Sequence, residues 1–191
     1  VSVDRDRIVA AVREILAAIG EDVTREGLRE TPTRVADAMA EMYSGVGVDA
    51  STGVRDAGST ADVVSSDPVI VRDLVFRSMC EHHLLPFHGV AHIAYEPTDT
   101  VVGLGRIARV LDTIASRPQV QERIGIEVCD ALTVGAGAGG VLVVLDARHD
   151  CMAARGVRQT TASAVTVSAT GTLATEPNRS ALLALIGRGD G

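Results

Sequence analysis

Ile107-Ala-Arg-Val-Leu-Asp-Thr-Ile114 and Val120-Gln-Glu-Arg-Ile-Gly-Ile-Glu-Val-Cys-Asp-Ala-Leu132 are the stretches that set the fold. In the first, Ile107, Val110, Leu111 and Ile114 recur at i, i+3, i+4 and i+7, which is one face of a helix. In the second, Val120, Ile124, Val128 and Leu132 recur every four residues, with Cys129 beside the stripe as a core thiol. Both predict amphipathic helices, the second opened by Pro118. β-rich runs flank the pair. Residues 69–76, broken by Arg72-Asp73, and residues 89–95, ended by Glu96-Pro97, precede it. Residues 141–148 and the alternating residues 164–170 follow it, after a glycine-rich turn at 135–140. The order β-β-α-α-β-β predicts antiparallel strand pairs with both helices on one face, an α+β arrangement. The other sheet face would need cover from neighbouring subunits.

Upstream lies a helical segment. Over residues 4–19, Ile8, Val12, Ile15, Leu16 and Ile19 keep the helical period, Asp4 suits the N-cap and Gly20 the end. A second helix is expected with Thr31 as N-cap, Pro32 as its first residue and Val35, Met39 and Met42 as its stripe. Residues 46–66 are rich in Gly, Ser, Asp and Thr and read as a mobile loop. The expected division is an N-terminal segment and loop over 1–66 and a main body over 67–191.

The 191 residues carry 18 basic and 25 acidic side chains, a net charge of −7. Every basic residue is arginine. Apolar residues make up 46 % and charged residues 23 %, which excludes wholesale disorder. With no Trp, 2 Phe and 2 Tyr, an acidic chain lacks both the footprint and the stacking surfaces of a nucleic-acid binder. No apolar run approaches the roughly 20 residues of a membrane helix, and Val1-Ser-Val-Asp-Arg-Asp has no apolar signal core. Three cysteines, Cys80, Cys129 and Cys151, show no framework spacing and fit a reducing cytoplasm.

Chemistry concentrates in two short segments, Cys80-Glu-His-His83 and His149-Asp-Cys151. In Cys80-x-x-His83 a tight turn can aim a thiolate and an imidazole at one ion. On an extended segment, His149 and Cys151 point to one side. If the two strand ends are adjacent, Cys80, His83 and Cys151 make a Cys2His site for zinc. Three protein ligands leave a fourth position open, the pattern of a catalytic site. His82 and His149 remain as acid–base groups beside it. The competing readings are a Cys80–Cys151 disulfide and satisfied structural histidines. His88 and His92 read as structural.

A second group is basic. Arg106 and Arg109 share a helix face, and Arg155 and Arg158 follow Cys151. Guanidinium groups grip phosphate in a bidentate way, and ordinary surface arginine is the alternative. Gln121 and Glu122 either cap a helix and complement its dipole, or Glu122 accepts two hydrogen bonds from a guanine-type N1–H and amine. Neither the 103–109 segment nor the 135–140 segment has the context of a nucleotide-binding glycine loop.

Four segments together resemble GTP cyclohydrolase I. They are Cys80-Glu-His-His-Leu-Leu-Pro-Phe-His-Gly-Val-Ala-His-Ile, Gly103-Leu-Gly-Arg-Ile-Ala-Arg, Arg117-Pro-Gln-Val-Gln-Glu-Arg and His149-Asp-Cys-Met-Ala-Ala-Arg-Gly-Val-Arg. The resemblance spans roughly residues 25–187. It implies the tunnelling fold, with 67–191 as its catalytic domain, one zinc ion per subunit, and a homodecamer of two pentamers with active sites at subunit interfaces. It also implies that Cys80, His83 and Cys151 hold the zinc and that His82 and His149 are catalytic. Gln121 and Glu122 would read the guanine, and Arg106, Arg109 and Arg155 would contact the triphosphate. The implied reaction opens the imidazole ring of GTP, releases formate and recyclises to 7,8-dihydroneopterin triphosphate, which enters tetrahydrofolate or another pterin pathway. One departure is Gly105-Arg106, where the family usually has Ser-Lys. Two alternatives remain, the first of them motivated by the lost hydroxyl. One is a related zinc hydrolase acting on another purine nucleotide or stopping at the ring-opened formamide. The other is a non-catalytic zinc-stabilised oligomer, against which the presence of both His82 and His149 argues.

Overall fold

The computed structural model describes residues 3–55, 67–99 and 101–187. Its centre is a five-stranded sheet in the order β3-β1-β2-β4-β5. The strands are β1 (Val69–Cys80), β2 (Pro86–Glu96), β3 (Pro118–Gln119), β4 (Gly140–His149) and β5 (Ala164–Gly171). β1–β2, β2–β4 and β4–β5 pair antiparallel. Helices α4 (Leu104–Ala115) and α5 (Gln121–Ala136) cover one face. This is the expected α+β arrangement, with the short β3 added between the two helices.

The helix faces behave as their periods require. Ile107, Val110, Leu111 and Ile114 are all buried, as are Ile124, Val128 and Leu132. They meet Phe76, Phe87, Ile93 and Leu145 of the sheet in one core. Each such side chain contributes about 1.5–3 kcal/mol by leaving water. Cys129 lies in that core, and burial pushes its thiol up to about 12. In the native protein a thiol reagent should therefore leave Cys129 unmodified at neutral pH. Its modification before unfolding, read by mass spectrometry, would contradict this packing.

Two local expectations in the main body are corrected. Pro118 does not open α5. Pro118-Gln119 instead pairs parallel with Met79 and Cys80, and the helix starts at Gln121. Proline lacks only the N–H, so it is tolerated at the end of an edge strand. β1 is not broken at Arg72-Asp73. It runs through a bulge in which Asp73 takes φ 58° and its N–H donates to His92 Nδ1 at 3.2 Å. β5 alternates, but Thr166 and Ser168 face α5 while Val165 and Val167 point away.

At the N-terminus, α1 (Arg5–Ala18) is capped by Asp4, whose carboxylate accepts from Arg7 N–H at 3.1 Å. It packs on α2 (Thr31–Met42) through Val12 and Leu16, while Ile15 and Ile19 stay exposed. Thr31 lies inside α2 rather than capping it, with Glu30 at the N-cap. The expected loop at 46–66 contains a short helix, α3 (Thr52–Arg55), begun by Asp49, which accepts from Ser51 N–H at 2.9 Å. Val54 buries into the main core. Residues 56–66 lie outside the described residues.

The second sheet face is not wholly bare. α7 (Asn178–Gly187) lays Leu182 and Ile186 on Ala94, Leu142 and Val144. Val75, Val165 and Val167 remain exposed beyond it. Strand packing is tightest at Gly89, where an added Cβ would fall 1.9 Å from the Asp146 carbonyl oxygen. Gly89→Ala should cost about 1–3 kcal/mol by forcing β2 and β4 apart. A urea midpoint equal to that of the parent protein would refute this.

Candidate active site

β1 and β4 both run antiparallel to β2, so their C-terminal ends meet at the start of β2. This topology brings the two chemistry-bearing segments together. After Cys80 the chain turns tightly. The Cys80 carbonyl accepts from Leu84 N–H at 2.8 Å, with Leu84 at φ 51°. After His149 the chain enters a single helical turn, α6 (Asp150–Ala153), which carries Cys151. Cys151 is thus helical rather than extended, yet it still reaches the site.

The thiols of Cys80 and Cys151 and the imidazole of His83 lie within 4.8 Å of one another. Cys80 Sγ stands 3.7 Å from His83 Nδ1. A tetrahedral ion with sulfur at ~2.3 Å and nitrogen at ~2.05 Å requires a spacing of about 3.6 Å. The Cys80–His83 spacing matches that requirement, and the third donor, Cys151, lies close enough to complete the set. Burial and the neighbouring Cys80 thiol push the Cys151 thiol up, while Arg155 draws it down. Cys80 is buried and His83 exposed, so the cluster opens to one side.

A cavity of about 210 Å³ adjoins the cluster, lined among others by His82, Phe87, Gln121, Glu122 and His149. His149 stacks flat on Phe87, with ring centroids 4.6 Å apart and an interplanar angle of 5°. Its Nε2 lies 2.8 Å from Gln121 Oε1. Burial holds this imidazole below its usual pKa, with Glu122 opposing, so the ring is neutral near pH 7. His82 is largely exposed beside Glu81. Gln121 is buried, and its amide nitrogen donates to Leu145 O at 3.0 Å, Ala164 O at 2.8 Å and Thr166 Oγ1 at 3.2 Å. Glu122 is exposed in the first turn of α5.

The arginines divide. Arg155 follows the α6 turn that carries Cys151, and its positive charge acts on that thiol. Arg106 and Arg109 instead line a separate cavity of about 130 Å³ with Asp49 and Thr113. Arg106 lies near the start of α4, whereas the site follows its end, about 15 Å away along the axis. One chain does not bring these arginines to the cluster. Gly105 lies beside Arg106, and an added Cβ there meets nothing within 4 Å, so no neighbour demands glycine.

Three participants had no sequence assignment. Glu81 and Arg123 form a bidentate pair, with Nη1–Oε2 at 2.5 Å and Nη2–Oε1 at 3.1 Å. It ties the Cys80–His83 turn to the start of α5 and holds the Glu81 carboxyl below the usual range. Phe87 is the platform for His149. Both Glu81 and Arg123 sit inside recognisable motifs, but nothing local pairs residues 42 positions apart.

The sequence profile of GTP cyclohydrolase I matches residues 8–186. GTP cyclohydrolase 1 of Leifsonia xyli subsp. xyli is 55 % identical over 186 residues, covering 97 % of each chain. The Streptococcus sanguinis enzyme of the same name is 43 % identical over 173 residues, covering 91 % of this chain and 92 % of that one. A solved structure, the archaeosine synthase QueF-Like in its apo form, aligns with a TM-score of 0.46 at 13 % identity, covering 56 % of this chain and 96 % of that chain. The chain belongs to the GTP cyclohydrolase I family.

Proposed function

We propose that the chain performs its family's reaction, GTP to 7,8-dihydroneopterin triphosphate and formate, at a zinc centre held by Cys80, His83 and Cys151. The observation that carries this is the convergence of that donor set with His149, His82 and Glu122 around one cavity. Two thiolates and an imidazole favour zinc over harder divalent ions. Bound there, zinc supplies Lewis acidity and lowers the pKa of water toward ~7.

The protein's own groups do the rest. Glu122 accepts hydrogen bonds from guanine N1–H and the exocyclic amine. Gln121 offers its backbone N–H, which has no intrahelical acceptor in the first turn of α5, to the guanine carbonyl. Neutral His149 takes a proton from, or returns one to, the purine nitrogens as the ring opens. Exposed His82 serves the ribose oxygen in the later rearrangement. Arg155 meets the triphosphate from the same chain.

Arg106 and Arg109 complete the phosphate site from a neighbouring subunit. Their separation from the cluster within one chain and the exposed valines of the second sheet face support a homo-oligomer with interfacial sites, for which we keep the decamer. α1 and α2 pack on one another, which supports a helical N-terminal unit, whereas α3 within the 1–66 segment joins the core of the 67–191 catalytic domain through Val54. Among the described residues no helix is long and apolar enough to cross a membrane. The three free cysteines suit a reducing cytoplasm.

The test is a zinc-replete assay with GTP that follows formate and, after oxidation, pterin fluorescence. Both should appear together. Formate alone would favour the ring-opening alternative, and neither product with stoichiometric zinc would point to another purine. Glu122→Gln should raise KM for GTP about 10- to 100-fold, the weight of a hydrogen bond to a charged group. It should also shrink the preference for GTP over ITP, which lacks the exocyclic amine. An unchanged GTP/ITP ratio would remove Glu122 as the base reader.

A further inference from the structure

The Gln121 side chain is too fully engaged to read a base. It is 2 % exposed, and each end of its amide has a fixed partner. The nitrogen has two N–H bonds to give, and three acceptors surround it: Leu145 O, Ala164 O and Thr166 Oγ1. Two of these are main-chain carbonyls, which can only accept. The amide cannot be turned over without setting its oxygen against them. Its Oε1 must therefore face His149, and an amide oxygen only accepts. The group 2.8 Å away, His149 Nε2, must carry the hydrogen.

We infer that Gln121 is a positioning residue that locks His149 as its Nε2–H tautomer and leaves Nδ1 as the ring's acceptor in the cavity. Phe87 sets the ring plane by stacking, and Gln121 sets its rotation and its proton. Among the described residues, Nδ1 has no hydrogen-bond partner of its own. When Nδ1 accepts a proton, Nε2–H stays bonded to Oε1, so the partnership needs no rearrangement during the reaction. This rests on the reading above that His149 exchanges a proton with the substrate, and it specifies which nitrogen does so.

The experiment is long-range 1H–15N correlation spectroscopy on the zinc-loaded protein labelled with 15N-histidine, at about pH 8, above the imidazole range. His149 is assigned by its absence in His149→Ala. The expected spectrum shows a pyrrole-type Nε2 and a pyridine-type Nδ1, and the reverse pattern would overturn the proposal. Gln121→Met keeps the length of the side chain without the amide. It should give a mixed tautomer and a kcat lower by roughly 10- to 100-fold, the usual effect of losing an orienting partner. KM for GTP and zinc content should hold, because the backbone N–H remains. A folded Gln121→Met protein with the parent's tautomer and kcat would also overturn it. If that variant fails to fold, the parent spectrum decides alone. If His149→Ala keeps full activity while the spectrum shows the Nε2–H form, the catalytic reading of His149 fails and the lock stands.

Discussion

Cys151→Ala is expected to lose its metal and its activity together while keeping its fold. Cys151 supplies one of the three donors, and its removal leaves one thiolate and one imidazole. Two ligands cannot hold a catalytic divalent ion against water and competing chelators. Metal content should fall from about one ion per chain to near zero. GTP turnover should fall by at least ~10³, since Lewis-acid assistance is worth several kcal/mol and each 1.4 kcal/mol is tenfold. The fold should survive because the core between the sheet and helices α4 and α5 is built from buried apolar side chains. Cys151 is partly buried and packs against that cluster without being one of its buried members. Metal analysis beside the formate assay checks the result. Activity that persists in metal-free Cys151→Ala would end the zinc assignment.

His149→Ala separates the chemistry from the metal. The three donors are untouched, so metal content should match that of the parent. Loss of a positioned acid–base group should lower kcat by about 10²- to 10⁴-fold. KM for GTP should move little, since base and phosphate contacts are assigned elsewhere. The substitution also leaves Phe87 without its stacked partner and Gln121 Oε1 without its donor. A modest loss of stability is therefore expected beside the catalytic one. Comparing kcat at a temperature well below either melting point keeps the two apart. A folded, metal-replete His149→Ala enzyme with parental kcat would assign the proton transfer to another group.

The contrast between Gln121 and Glu122 shows how far local reading reaches. Both stand at a helix start, and both suit capping or base recognition by residue type. The structure distinguishes them by surroundings. Glu122 faces solvent beside the cavity, whereas Gln121 turns inward to the sheet. The arginines divide in the same way. Arg155 follows Cys151 closely enough that its placement is local. Arg106 and Arg109 share its charge and its implied ligand, but α4 carries them to a separate cavity within the chain. Pro118 illustrates the reverse error. Its helix-starting preference is real, but pairing with Met79 and Cys80 outweighs it.

Local spacing predicts the helical faces, the order of the four long strands and the two covering helices, and the residue types able to hold a metal. Those signals depend on spacings of two to four residues, over which backbone geometry fixes where side chains point. Contacts that need distant partners arise only in the folded chain. Gln121 reaches acceptors 24, 43 and 45 positions away, and its bond to His149 spans 28. Glu81 and Arg123 meet across 42 positions. Such contacts exist only because β1 and β4 both pair with β2 and α5 lies across β4 and β5. Periodicity shows that a helix will bury one face, but the hydrogen-bond partners its ends find depend on the sheet beneath.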